Sequence, residues 1–452
     1  MNVPQTVAEA IAADLAARGV KRMFGVPGGG SSLDLIDAGA QAGIEFVLCR
    51  TETAAAIMAA VTGELTGVPG VVLTGIGPGA AAVVNGIAYA SLERAPVLLI
   101  TDAHEQDKTA PPHQIFDQRA LFAPISKAQV RLTPENAADF GMLAMRAAAE
   151  PPGPVHIDLS AADAAAAAEP VCPPESARPE TNADDSAIAR AADLIAGARR
   201  PVLIVGHQAR PADRAAAVQA LAAALGGPAM TTYKGRGVIP HDAPEFAGTF
   251  TGSKSDGIVL SEADLILFCG ADPVEMIPGR WGYEAPVVVI GETGGLAWPF
   301  EPAAEIVGSV AAAAAALAET AGGAGWTDAE IAGLRARLFA AGELSGNGHT
   351  AQSVIEALSA SAPAETRLTV DAGAHMFSAM TRWPARTPFD VLKSNGLSTM
   401  GYAVPAAIAS RLEQPDRPVV AVTGDGGMMM SLSELSTAAR LGLRMTVVVV
   451  ND

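Results

Sequence analysis

The sequence predicts an α/β protein built as three doubly wound parallel-sheet domains, the last one incomplete, and three observations carry that prediction. Short apolar runs alternate with helical patterns from the N-terminus onward, as in a parallel sheet covered on both faces. Two breaks in composition divide the chain into three blocks of similar element order. The chain has 452 residues, and at a prior of about 150 residues per domain that length corresponds to about three cores.

The first block, 1–165, opens with an amphipathic helix (Val7, Ile11, Leu15) that ends near Gly19. A strand over Arg22–Phe24 runs into the loop Gly25-Val-Pro27-Gly28-Gly-Gly30. Further strands are expected at Phe46–Cys49, Val71–Thr74, Val97–Thr101 and Val155–Asp158, with a helix over Thr53–Leu65. From Ala164 to Asp185 the composition shifts to Ala, Pro, Glu and Asp, which reads as a linker. The second block, 186–325, holds the strand Pro201–Gly206, a helix near 212–225, and strands at Asp264–Phe268 and Val287–Ile290. The stretch Gly322 to Gly325 closes it. The third block, 345–452, begins with a helix near Thr350–Leu358 and the strand Leu368–Val370.

The formal net charge of −18 argues against nucleic acid and anionic membrane as partners, since both require basic patches. The three cysteines (Cys49, Cys172, Cys269) are scattered and odd in number, so neither a disulfide framework nor a zinc site is expected. No signal peptide is recognisable. Gly77-Pro78-Gly79 interrupts the apolar stretch Val71–Ala90, which reads as a buried strand and helix rather than a membrane span. A soluble, cytoplasmic protein is expected.

The last twenty-nine residues carry the most chemistry. An apolar strand (Val419–Val422) leads into Gly424-Asp425-Gly426. The pattern Ser431-Leu-Ser-Glu434 reads as a capping-box helix start, running to Gly442, and a second strand spans Met445–Val450 before Asn451-Asp452. This is a strand–helix–strand unit whose parallel strands each end in a carboxylate. Ligands of open α/β sheets sit off the carboxyl ends of strands. Two oxygen ligands there, Asp425 and Asp452, suit a Mg²⁺ that also holds a phosphate. Glu52 opens a helix among apolar neighbours. A carboxyl desolvated there would favour the neutral, proton-donating form, although Glu in a first helical turn is ordinarily dipole stabilisation.

The segment Gly424-Asp425-Gly426…Asn451-Asp452 resembles the GDG…NN diphosphate–magnesium motif of thiamine-diphosphate (ThDP) enzymes. The stretch Arg50-Thr-Glu52-Thr-Ala-Ala-Ala, with Pro69-Gly-Val-Val-Leu-Thr74 and Gly77-Pro-Gly79, resembles the pyrimidine-domain signature of the acetohydroxyacid (acetolactate) synthase-like branch. That resemblance implies that Glu52 activates a cofactor bound mainly by the partner subunit. Gly396-Leu-Ser398-Thr-Met400-Gly401 is similar to the family's G-L-G-T-M-G, which implies that Met400 bends the cofactor and the Ser398 carbonyl accepts from its amino group. Gly25-Val-Pro27-Gly28 resembles the family's G-x-P-G loop. His113-Gln114-Ile-Phe-Asp117-Gln118 resembles its FQE-type segment, which places Gln114 near the cofactor ring. Thr231–Pro240 resembles a central-domain loop; some members bind FAD or an ADP moiety there, so FAD is possible but unsupported by these residues. His375, just past a strand end, either faces the substrate cavity or is structural.

The resemblance spans the chain in order: pyrimidine domain, central domain, diphosphate domain. It implies a homodimer or homotetramer with shared active sites that decarboxylates a 2-oxo acid and passes the two-carbon unit to an acceptor. Simple decarboxylation to an aldehyde and a non-catalytic fragment are the alternatives. Three departures stand out. Ala82 replaces the family's Asn, with Asn85 three residues later; Asp452 replaces Asn; and family members continue for roughly another hundred residues, so a C-terminally truncated chain is expected.

Overall fold

The computed structural model describes residues 5–105, 113–168, 183–323 and 325–451. Asp452, Cys172 and most of the expected linker lie outside them. Among the described residues sixteen strands form parallel sheets with helices packed around them, the α/β class that the alternating pattern implies. The first sheet comprises β1 (Arg22–Val26), β2 (Glu45–Leu48), β3 (Gly70–Thr74), β4 (Val97–Ala103), β5 (Ala128–Leu132) and β6 (Pro154–Ser160), in the order β2-β1-β3-β4-β6-β5. Their apolar runs are buried on both faces: β3 has no exposed residue, and Val71, Leu73, Leu98, Ile100 and Ile157 join one core with Val7, Ile11 and Leu15 of the first helix. This is how fully apolar strands behave in parallel sheets.

The strand order reverses between β1 and β3. In register, Val26 lies beside Thr74 and Thr74 beside Thr101, so the carboxyl ends of β1, β3 and β4 emerge side by side. That is the switch point at which open α/β sheets bind ligands.

The second sheet comprises β7 (Pro201–Val205), β8 (Ala229–Thr231), β9 (Phe246–Thr249), β10 (Leu265–Cys269), β11 (Val287–Gly291) and β12 (Ala304–Val307). Its order, β12-β11-β10-β7-β8-β9, is that of a dinucleotide-binding sheet read from one edge. The last four strands, β13 (Arg367–Val370), β14 (Val391–Lys393), β15 (Val419–Gly424) and β16 (Thr446–Val450), are the smallest set; β13 pairs with β14 and β15 with β16, both parallel. The chain divides into two compact units, one of 1–177 with 396–451 and one of 178–395.

Several strands are absent from the sequence reading. β8 and β14 have three residues each, β9 contains Gly248, and β5 is half-buried along most of its length; none offers the long apolar run that marks a buried strand. The expected linker is structured at both ends: Ala161–Ala165 is helical, Ala167 bridges to Thr6, and a helix starts at Asp185 under an Asp184 cap.

The expected capping box at Ser431 does not form. A seven-residue helix, Asp425–Ser431, follows β15 at once, and the Ser431 hydroxyl donates back to the Gly427 carbonyl at 3.3 Å. Glu434 instead begins a second helix, Glu434–Arg440, and its carboxylate accepts from the backbone of Arg50 and Thr51. Donors on another segment outcompete the local cap because nothing else in that turn reaches them.

The helix Glu52–Thr66 is buried from Ala54 to Val61 and packs against helix Val84–Leu92 at Gly86. A Cβ on Gly86 would lie 2.4 Å from the Ala56 methyl and 2.9 Å from the Thr53 carbonyl. Gly86→Ala therefore wedges two helices apart just behind Glu52. We expect a loss of about 1–3 kcal/mol, read as a lower midpoint in thermal denaturation.

Candidate active site

A cavity of about 510 Å³ opens at the switch point of the first sheet, a size within the usual range for ligand pockets. Its wall is built at strand ends: Val26–Gly30 at the end of β1, Gly75, Ile76, Pro78 and Gly79 after β3, Asp102–Glu105 at the end of β4, together with Glu52 and Gln114. Glu52 is the first residue of its helix. Thr51 caps that helix, its hydroxyl accepting the Ala54 N–H at 3.2 Å. The half-buried carboxylate lies over Gly79, whose missing Cβ would sit 3.5 Å from Glu52 Oε1.

Asp102 shapes the glycine loop. Its carboxylate accepts from the Gly30 N–H (3.2 Å), the Ser31 hydroxyl (2.9 Å), the Ser32 N–H (2.7 Å) and the Ser32 hydroxyl (3.1 Å). A Cβ on Gly28 would fall 2.2 Å from Asp102 Oδ2 and 2.7 Å from the Gly75 Cα, so only glycine permits this approach. Pro27 lines the cavity beside it, and Gly25 sits within β1 opposite Leu73.

Gln118 does the same for the second loop. The Gly77 N–H donates to Gln118 Oε1 at 2.9 Å, and Gln118 Nε2 donates to the Asp102 carbonyl (3.2 Å) and Asp158 Oδ1 (3.0 Å). Gly77 holds φ +65°, and a side chain there would strike the Gln114 carbonyl. Burial works to raise the Asp158 carboxyl, but His156, Thr101 and Gln118 together hold it below its ordinary value, so Gln118 is anchored to an ionised group.

The second group of expected residues gathers around β15. Gly424 ends the strand and caps the helix that Asp425 begins, and the Asp425 side chain is exposed. A Cβ on Gly426 would lie 3.3 Å from the Met400 Cε, and one on Gly401 would lie 3.0 Å from the Met430 Cβ. The loop 396–402 thus rests on the Gly-Asp-Gly segment, with the Met400 side chain 41% exposed. Three contacts tether this loop to the region around helix Val84–Leu92. Asn85 and Thr399 bond at 2.8 Å, the Gly396 N–H donates to Glu93 Oε1 at 2.7 Å, and Tyr89 stacks near Tyr402 with centroids 5.2 Å apart.

The structure therefore brings Pro27, Gly28, Glu52, Gly79 and Gln114 into one cavity, and Ser398, Met400, Gly424, Asp425 and Gly426 into a second cluster. Among the described residues none beyond Ala161 lines the cavity. Among the described residues no group of three or more His, Cys, Asp or Glu could hold a metal, and Asp452 lies outside them. His375 is buried with its ring against Gly373; burial lowers its pKa, against the opposing charge of Asp371.

At the switch point of the second sheet, where a dinucleotide would sit, the loops close on one another. The Gly206 N–H donates to the Cys269 carbonyl (3.0 Å), the Gln208 N–H to the Gly270 carbonyl (2.8 Å), and the Glu292 N–H to Gln208 Oε1 (2.9 Å). The space off Gly206 is filled by Ala271 and Glu275.

Sequence reasoning missed Asp102, Gln118 and Glu434. Asp102 had a visible signal, since it stands at the carboxyl end of a strand, one residue past the expected end at Thr101. Gln118 lay within a quoted motif, but nothing distinguished its buried amide from the exposed Gln114.

Residues 5–121 match "Thiamine pyrophosphate enzyme, N-terminal TPP binding domain", residues 188–317 the central domain and residues 371–452 the C-terminal TPP binding domain of the same enzymes. The acetolactate synthase of Bacillus subtilis (strain 168) is 29% identical over 98% of this chain and 81% of its own length. The catabolic acetolactate synthase of Raoultella terrigena is 31% identical over 96% of this chain and 80% of its own. The probable 2-ketoarginine decarboxylase AruI of Pseudomonas aeruginosa is 31% identical over 96% and 79%. Such a fold and site define a thiamine-diphosphate-dependent enzyme, and the chain belongs to the acetolactate synthase-like family of these enzymes. No described helix is long and apolar enough to cross a membrane.

Ser398 holds φ +53° at the position where the resembled motif carries glycine. Ser398 and Gln114 (φ +59°) are two of only four non-glycine residues with positive φ among those described, and such strain concentrates at functional sites. The left-handed conformation costs a non-glycine residue about 1–2 kcal/mol, while a glycine gives back roughly 0.4–1 kcal/mol through the unfolded chain. Ser398→Gly should therefore raise stability slightly, by about 0.5–1 kcal/mol, in urea denaturation.

Proposed function

We propose that the protein decarboxylates a 2-oxo acid with thiamine diphosphate and Mg²⁺, and joins the resulting two-carbon unit to an acceptor, as an acetolactate synthase does. The observation that carries this reading is the Glu52 carboxylate inside a switch-point cavity, beside two glycine-rich loops. Thiamine diphosphate, when bound, supplies the nucleophilic carbon and the electron sink. Glu52 would hydrogen-bond the pyrimidine ring of that cofactor and could hold or release a proton there. The backbone around Gly28, Gly77 and Gly79 permits close approach, and Gln114 reaches the reacting end from the cavity wall. Met400 would lie against the bound cofactor, and the Ser398 carbonyl would accept from its amino group.

Asp425, exposed at the end of β15, offers a carboxylate oxygen to Mg²⁺, which takes one or two carboxylates plus substrate oxygens; Asp452 is the proposed second. The cavity holds no residue of the Met400–Asp425 cluster. That separation supports a homodimer or homotetramer in which one protomer's Glu52 faces the cofactor held by its partner. Exposed Met429, Met430 and Leu432 directly after the Gly-Asp-Gly segment supply apolar surface for such an assembly.

Glu52→Gln should lower turnover about 10²-fold or more while the protein remains folded; unchanged turnover would sink the proposal. Product analysis of the unsubstituted protein on pyruvate then separates two readings. Acetolactate means carboligation, and acetaldehyde alone means simple decarboxylation, the reading favoured by the relative named as a decarboxylase.

Metal dependence is tested separately. Calorimetric titration with ThDP should show binding with Mg²⁺ that is lost with EDTA and weakened in Asp425→Ala. Equal affinity in all three would remove Asp425 from the metal site.

A further inference from the structure

Glu434 is fully buried and belongs to neither cluster. Its Oε1 accepts the Arg50 N–H at 2.9 Å and the Thr51 N–H at 3.0 Å, and its Oε2 accepts the Thr437 hydroxyl at 2.7 Å. These two N–H groups immediately precede Glu52. β2 ends at Leu48 and the helix begins at Glu52, so the intervening backbone has left one ladder without yet entering the next. Such donors need a partner from elsewhere, and a charged acceptor makes the stronger bond.

The contact is part of a seam. Arg50 Nε donates to the Ser436 hydroxyl at 2.8 Å, and the Arg440 guanidinium donates to the Leu48 carbonyl. Glu434, Ser436 and Arg440 of helix Glu434–Arg440 therefore hold Leu48, Arg50 and Thr51 of this turn. Burial, followed by the nearby Glu434 carboxylate, pushes the Cys49 thiol far above its ordinary value.

From this geometry we infer that Glu434 is a positioning residue for Glu52: by holding the two N–H groups before it, Glu434 sets how the Glu52 carboxylate enters the cavity. This rests on the reading of Glu52 given above. Glu434 lies nine residues after Asp425 in the same chain, so one short segment carries the proposed metal ligand at one end and braces the activating carboxylate at the other. Catalytic groups tolerate little misplacement, about 1 Å costing roughly 10²-fold in rate. A brace of this kind acts on turnover rather than on substrate affinity.

The test compares Glu434→Ala, Glu434→Gln and Glu52→Gln by steady-state kinetics and by amide hydrogen exchange in the cofactor-free protein. In Glu434→Ala, exchange at Arg50 and Thr51 should rise at least about 10-fold while the rest of the chain keeps its protection. Its kcat should fall between about 10- and 100-fold with KM little changed. Glu434→Gln keeps an acceptor oxygen and should restore most of both. Should the alanine variant fail to fold, Thr437→Val, which removes only the hydroxyl that orients Oε2, should give a smaller loss in the same direction.

Unchanged exchange at 50–51, exchange raised throughout the chain, or a Gln variant as impaired as Ala would overturn the positioning role. Full turnover in Glu52→Gln would remove the functional reading itself. An inactive Glu52→Gln beside a fully active Glu434→Ala would remove the positioning role alone.

Discussion

Parallel pairing is the constraint from which the rest of this structure follows. Every strand pair in register runs in the same direction, so each sheet delivers all its carboxyl ends to one edge. Two-residue hairpins cannot connect such strands, and longer crossovers, most of them carrying a helix, return the chain. The consequence is a row of strand-to-helix loops along one rim, and nearly every residue of chemical interest sits in that row. Pro27, Gly28, Gly77, Gly79 and Asp102 come from three neighbouring strand ends, and Asp425 from the end of β15. The cavity needs no further device to exist: where the strand order reverses between β1 and β3, the helices depart to opposite faces and leave the loops apart.

What remained for the sequence to specify was how the loops are held, and the solution is polar. Asp102 takes four donors from the glycine loop, Gln118 couples the Gly77 turn to Asp158, and Glu434 takes the two donors ahead of Glu52. Buried acceptors of this kind are costly unless satisfied, and here each is satisfied by the backbone that it orders. The loops are thus fixed by groups that do not themselves need to meet substrate.

That division explains what could be read from the sequence. Strands with long apolar runs, such as β3, β4, β7 and β10, were legible because burial on both faces leaves a continuous pattern. β8 and β14 were not, being three residues long and recognisable only by their neighbours in the sheet. Among the proposed site residues, Glu52, Gln114 and Met400 were named through resemblance to family motifs, and Asp425 also through its place at a strand end. Glu434 was misread because its nearest pattern in sequence, Ser431-x-x-Glu434, is a valid capping box whose local partner lost to backbone donors 384 and 383 residues away. Local pattern cannot announce a competitor at that separation. Asn85, three residues late for the resembled motif, proves to bond Thr399 of the methionine loop, a link visible only once the two blocks are folded together.

The tethering of loop 396–402 bears on the thermodynamics of ligand capture. Ordering backbone costs about 1–2 kcal/mol per residue, so a seven-residue loop that became fixed only on binding would take on the order of 10 kcal/mol from the affinity. Here Asn85, Glu93 and Tyr89 secure it through contacts within the chain. The entropy was surrendered when the chain folded, and association can proceed at this loop as rigid docking, with a heat-capacity change set by surface contact rather than by coupled folding.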